Sequence, residues 1–445
     1  MIKKIAPCSV LVLAWLLPAP AADDFAAQRD SNWHHWRGPR ANGFAPQADP
    51  PVSWDEKTNI KWRSEIPAHG SSTPIVWGKR IFLLTARDTG RPGESTAKPA
   101  PGSPRPTRTK RPTTYYEFLV HCVDRENGQP LWKRIAVEAV PHEGYNGEHG
   151  YASGSPTTDG QRLYASFGSQ GVYCYDFDGQ LIWKRDLGDM YTRFGWGEAS
   201  TPVVHGDRLI VNWDNEVNSA IYVLDAKTGE TRWKADRDEV TSWATPLVLE
   251  RDGKVAVIVG ATRRATSYDL ETGKTNWECG GLTFNVIPSP VATEKLAICM
   301  SNWQGSAIYA IPLGARGDIT DSKEIAWKRN TGAPYVPSPL LYGEHLYFTE
   351  STRAKLTCLK VSTGEPLIDR QSLPGLRDVY ASPLGAAGRV YIVGRDGTTL
   401  VLKHPASLEV LATNKLDDRV DASPVAVGGE LFLRGKRYLY CVARK

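Results

Sequence analysis

Past residue 22 the chain has no long apolar run, it has only 3 methionines in 445 residues, and no two of its cysteines are adjacent. The missing run excludes a membrane-spanning helix, which needs about 20 apolar residues in succession. A formal net charge of +5 is too small at this length to mark a nucleic-acid-binding protein. With 41% hydrophobic and 23% charged residues, disorder over most of the chain is excluded as well. What is abundant is Gly (40), Pro (31) and Trp (15), a mix that favours short strands and tight turns over helices.

The one apolar stretch, Val10 to Leu17, follows Lys3 and Lys4 and precedes Ala19, Pro20 and Ala21. This order describes a secretory signal peptide over residues 1–22, cleaved after Ala21 or Ala22, so a periplasmic or secreted protein is expected. Cys8 precedes the apolar stretch, the reverse of a lipidation signal. Residues 23–53 then form an N-terminal extension.

One pattern recurs eight times: Ser or Thr, then Pro, then an apolar strand, with the prolines at 74, 156, 202, 246, 290, 339, 383 and 424. A period near 44 residues, built from short strands, is that of propeller blades. Trp62, Trp132, Trp183, Trp233, Trp277 and Trp327 hold one phase in the fourth strand of successive units, which reads as packing between neighbouring sheets. The last unit stops after its third strand, at Tyr438 to Val442, while Asn59 to Arg63 is a fourth strand with no unit before it. The two remnants complete one blade and close the ring, which removes exposed edges. The expected fold is therefore all-β: one eight-bladed propeller of four-stranded antiparallel blades over residues 54–445. Cys122, Cys174, Cys358 and Cys441 share one phase in different blades, too far apart for disulfides, and are expected to be small buried residues.

With the strands of each blade lettered a to d, the larger insertions fall on the face of the b–c and d–a connections. Segment 87–113, rich in Pro, Lys and Arg, is expected to be a mobile insertion. The loop from Pro141 to Gly150 carries His142, Glu143, Glu148 and His149, but at spacings that match neither HExxH nor a Cys/His finger, so no metal site is expected. Residues just before each Ser/Thr-Pro should ring the channel mouth. The candidate ligand-binding set there is Tyr151, Trp196, Glu198, Trp243, Asn285, Tyr335, Asp378, Tyr380, Arg419 and Asp421, with His69 beside them.

The units Leu224 to Trp233 and Tyr268 to Trp277 resemble the A-x-D-x-x-T-G-x-x-x-W repeat of the pyrroloquinoline-quinone (PQQ)-like propellers. That superfamily includes quinoprotein alcohol dehydrogenases and the outer-membrane-assembly lipoprotein BamB. Trp36 to Pro39, Val52 to Trp54 and Asn59 to Trp62 are similar to secreted PQQ-like proteins of environmental bacteria. The resemblance implies two alternatives. The dehydrogenases place vicinal cysteines over the cofactor and use a calcium site; the first are missing here, although Glu198, Asn285, Asp378 and Asp421 have ligand chemistry. BamB carries a lipidation cysteine, also missing. The expectation is a non-catalytic, exported, monomeric propeller without a cofactor, binding a protein or cell-envelope component through its b–c/d–a face. The alternatives are a PQQ- and calcium-dependent oxidoreductase acting at the channel mouth, and a carbohydrate-binding propeller.

Overall fold

A short helix, Ala22–Arg29, precedes the first strand in the computed structural model, which describes residues 22–95, 108–350 and 353–444. The expected leader lies outside those residues apart from Ala22. No helix among the described residues is long and apolar enough to cross a membrane. Strands follow almost without interruption, in eight sheets whose four blade strands run antiparallel, arranged as a propeller ring. Blade three is representative, with Val203–His205, Arg208–Trp213, Ala220–Asp225 and Thr231–Asp236 as strands a to d. Ring closure is as the remnants require. Ile60–Glu65 pairs antiparallel with Tyr438–Ala443, Arg63 opposite Tyr440, and completes the last blade.

The repeat motif can be explained atom by atom. In the c–d turn of blade three the Asp225 carboxylate accepts the N–H groups of Lys227 (2.8 Å) and Thr228 (2.9 Å), which folds the chain back on itself. Gly229 follows at φ 75°, and a Cβ there would stand 2.7 Å from the Trp183 ring of the preceding blade. That indole donates to the Ala226 carbonyl at 3.1 Å. The same bond joins Trp62 to Arg125, Trp132 to Phe177, Trp233 to Leu270 and Trp327 to Val361. Each of these tryptophans therefore ties its blade to the next. Blade five departs from the pattern: its c–d excursion sends Gly317–Asp318 to pair in parallel with the outer strand of blade four, beside the buried Trp277. All six described cysteines are buried and free. Cys122, Cys174 and Cys441 sit in register opposite Trp132, Trp183 and Trp62, a small side chain across from a large one.

Two segments differ from expectation. Segment 87–113 was expected to be mobile throughout, but Arg87 to Pro92 prolong strand b of blade one and pair with strand c, which begins at Thr114. Residues 108–111 are fastened too: Arg108 N–H and Thr109 Oγ1 donate to the Phe194 (2.8 Å) and Gly195 (2.6 Å) carbonyls, and Arg111 Nε to His142 (2.9 Å). Charged composition concealed this because the Thr and Arg side chains act as donors to backbone carbonyls. Residues 96–107 lie outside the described residues.

The N-terminal extension is part of the ring. Trp33 exchanges backbone hydrogen bonds with Val76 in blade one, the His34 carbonyl accepts from Thr158 in blade two, and Phe44–Ala45 adds a parallel strand to blade seven.

Candidate functional site

The recurring Ser/Thr-Pro dipeptides build the wall of the channel. Each Pro immediately precedes strand a, where its missing N–H is tolerated, and all the hydroxyls but that of Thr245 accept a backbone N–H from the neighbouring blade. The Ser155 hydroxyl accepts Thr73 N–H (2.9 Å), Thr201 accepts Ser155 (3.0 Å), and Ser289, Ser338 and Ser382 continue the series. Ser423 accepts Ser382 N–H (3.0 Å), and Thr73 accepts Ser423 N–H (3.1 Å), which brings the belt back to its start. At Thr245 the hydroxyl receives the Trp36 indole N–H at 3.1 Å.

That last contact shows where the extension goes. His34 touches blade two, Trp36 reaches the start of blade four, and Arg37 donates to the Pro339 (2.7 Å) and Pro383 (3.3 Å) carbonyls of blades six and seven. Contacts on opposite sides of the ring require the segment to cross the bore. Arg37 is 2% exposed, and burial pushes its guanidinium down to about 9.

The space left on the b–c/d–a side is a chamber of about 230 Å³ bounded by Trp36, Trp196, Trp243, Tyr335 and Tyr380 together with belt hydroxyls. Trp243 is fixed by its indole N–H to the Gly197 carbonyl (2.7 Å), and Tyr335 stacks on Trp303 with centroids 5.2 Å apart. A second cavity of about 230 Å³ adjoins it, sharing Ser71, Glu148, His149 and Asp421 and adding His69, Arg419, Arg434 and Lys436. Charged groups bind the two together. Asp421 accepts from Arg395 Nε (2.7 Å) and Arg419 Nε (3.1 Å), while Glu148 accepts from both guanidinium groups. The Arg395 guanidinium carbon lies over Tyr380, 3.6 Å from the ring centroid. Burial raises the Asp421 carboxyl above its ordinary range against the opposing pull of Arg395. Burial also lowers the His149 imidazole, whose Nδ1 lies 2.9 Å from Ser153 Oγ.

Of the residues expected at the mouth, Trp196, Trp243, Tyr335, Tyr380 and Asp421 meet in the chamber, and Arg419 stands with His69 in the adjoining cavity. Four do not join them. Tyr151 turns to donate its hydroxyl to the Glu143 carbonyl (2.8 Å) and packs on Tyr116 and Tyr145. Glu198 faces a separate small cavity, where Ser169 N–H donates to it at 2.7 Å and burial pushes its carboxyl up to about 7. Asn285 is fully buried at φ 58°, and Asp378 is exposed, with its carbonyl accepting Arg395 N–H. A position just before Ser/Thr-Pro places a residue on the loop but leaves open which way that loop turns. Sequence reasoning missed Trp36, Arg395, Arg434 and Lys436. For Trp36 the signal was present, since the cluster from Trp36 to Pro39 stood out without an assigned place.

The cation set that a quinoprotein reading would draw on is thus dispersed, because Glu198, Asn285 and Asp378 stand outside the chamber and Asp421 is taken by two arginines. Among the described residues no group of three or more His, Cys, Asp or Glu side chains is placed to hold a metal ion.

Fold and site define a β-propeller whose bore is crossed by its own N-terminal segment and whose remaining chamber is walled by aromatic rings. The chain belongs to the family described as outer membrane protein assembly factor BamB, whose profile matches residues 117–368. Among solved structures it is similar to BamB from Moraxella catarrhalis, at 12% identity over 86% of this chain and 96% of that one, with a TM-score of 0.54. It is also similar to a europium-containing methanol dehydrogenase (9% identity, 92% and 91% covered, TM-score 0.63). A quinohemoprotein alcohol dehydrogenase from Comamonas testosteroni is comparable, at 10% identity, 96% and 83% covered, and a TM-score of 0.62. At such identities these likenesses speak for the fold alone. No curated protein matches the chain.

Proposed function

We propose that the protein is an exported, non-catalytic propeller that binds a cell-envelope component, or a protein located there, through its b–c/d–a face. The observation that carries this reading is the aromatic chamber that the extension leaves on that face, with Trp36, Trp196, Trp243, Tyr335 and Tyr380 around it. Rings bury large apolar areas at low entropic cost, so a group of the partner can seat there while its remainder lies across the loops. The family description, an assembly factor, supports a binding role. The lack of adjacent cysteines and the dispersed carboxylates speak against quinone-dependent catalysis.

The test uses immobilised purified protein and a solubilised envelope fraction, comparing wild type with Trp196→Ala. Retention of a defined component by the wild type, lost in a variant of unchanged melting temperature, is the expected result. Stoichiometric uptake of added PQQ with calcium, followed by dye reduction with alcohols or sugars, would overturn the non-catalytic reading.

A further inference from the structure

The cavity beside the aromatic chamber has an unequal complement of charge. Arg395 and Arg419 are balanced by Glu148 and Asp421, which accept their guanidinium N–H groups. Among the described residues two cations on the same wall form no ion pair, although the Lys436 charge acts on Asp421 from a distance. Lys436 is exposed at its edge. Arg434 is 2% exposed; its Nη1 donates to the Ser72 carbonyl at 2.6 Å, and among the described residues no carboxylate lies within ion-pair distance of it. A buried guanidinium without an anion carries an unmet desolvation cost, and burial accordingly pushes Arg434 down to about 9. The backbone keeps its approach narrow. At Gly70 a Cβ would stand 2.7 Å from the Ala152 carbonyl and 3.2 Å from Arg434 Nη2, so only glycine leaves that nitrogen clear.

The adjoining chamber has a complementary chemistry. Its hydroxyls, among them Ser155, Thr201, Ser382 and Ser423, each accept a backbone N–H from a neighbouring blade, so each keeps its own O–H proton to donate elsewhere. Donors of this kind beside aromatic faces match a ring that is rich in oxygen and has apolar C–H faces. An acidic peptide side chain would place its carboxylate near Arg434 and leave most of the roughly 230 Å³ chamber unfilled.

We infer that the two cavities form one site for an acidic saccharide unit, its ring among the chamber aromatics and its anionic group beside Arg434 and Lys436. This rests on the binding role proposed above and names the chemical class of what is bound. Carboxylate and sulfate ester are the two forms of that anion, both suited to guanidinium and ammonium donors.

The experiment is titration calorimetry of the full chain, supported by tryptophan fluorescence, with galacturonate, galactose 6-sulfate, neutral galactose and a short oligoglutamate. At least one of the two acidic sugars should bind, and the one that binds better identifies the anion. Galactose should bind about tenfold more weakly, the loss expected for one charge-assisted contact. Lys436→Glu, at an exposed position outside the core, should weaken the acidic sugar by at least that factor and leave galactose unchanged. Equal binding of galactose and the acidic sugars, oligoglutamate preferred over them, or no sugar bound would each overturn the inference. If none of the sugars binds while envelope retention still depends on Trp196, the saccharide assignment fails and the binding role stands.

Discussion

The explanation of the repeat motif can be tested inside a single blade. Gly206 and Gly229 lie in the a–b and c–d turns of blade three, both left-handed, at φ 55° and 75°. A Cβ at Gly206 meets nothing within 4 Å, whereas at Gly229 it would stand 2.7 Å from Trp183 Cε3 and 2.8 Å from Cδ2. Alanine at either position costs about 1 kcal/mol for the left-handed backbone, partly offset by the smaller entropy of the unfolded chain. Only Gly229→Ala must also displace a packed indole whose N–H is bonded to the Ala226 carbonyl, which adds about 1–3 kcal/mol of overpacking. Gly229→Ala should therefore exceed Gly206→Ala by about 2 kcal/mol, read as the shift in urea midpoint at constant slope. In a Trp183→Leu background the excess should shrink below about 0.5 kcal/mol, because the two sites are coupled through one contact. Equal effects of the two alanines, or an excess that persists without Trp183, would refute the account of why glycine faces the Trp183 ring.

Two further outcomes follow from the same geometry. Glu198 has its carboxyl raised to about 7 by burial, so its protonated form is favoured in the folded state; the protein is penalised for ionising it as pH rises from about 4.5 through 7. Glu198→Gln should change stability little at pH 5 and raise it at pH 8 by up to about 3 kcal/mol, and a variant no more stable at pH 8 than at pH 5 relative to wild type would contradict this. Removing residues 91–111 should lower the melting temperature, because the contacts of residues 108–111 with Phe194, Gly195 and His142 go with the segment; an unchanged melting temperature would sink the assignment.

The blade count, the ring closure through Asn59 to Arg63 and the interblade role of the tryptophans were legible in the amino-acid order. They rest on local rules: alternation along a strand, the side-chain chemistry of an Asp-led turn, and an edge that must find a partner. Each such rule acts within a few residues or between neighbouring repeats, so one period contains the information. The chamber is another matter. Trp36 meets Thr245, Arg37 meets Pro339 and Pro383, and Glu148 meets Arg395, 247 residues away in the chain. No periodicity encodes these meetings, because they depend on where non-repeating segments cross the axis of a closed ring. The same reason explains why Tyr151, Glu198, Asn285 and Asp378, placed by phase at the mouth, turn elsewhere. Phase sets the position of a loop on the propeller, and only the packing of that loop against its neighbours decides which of its side chains face the channel.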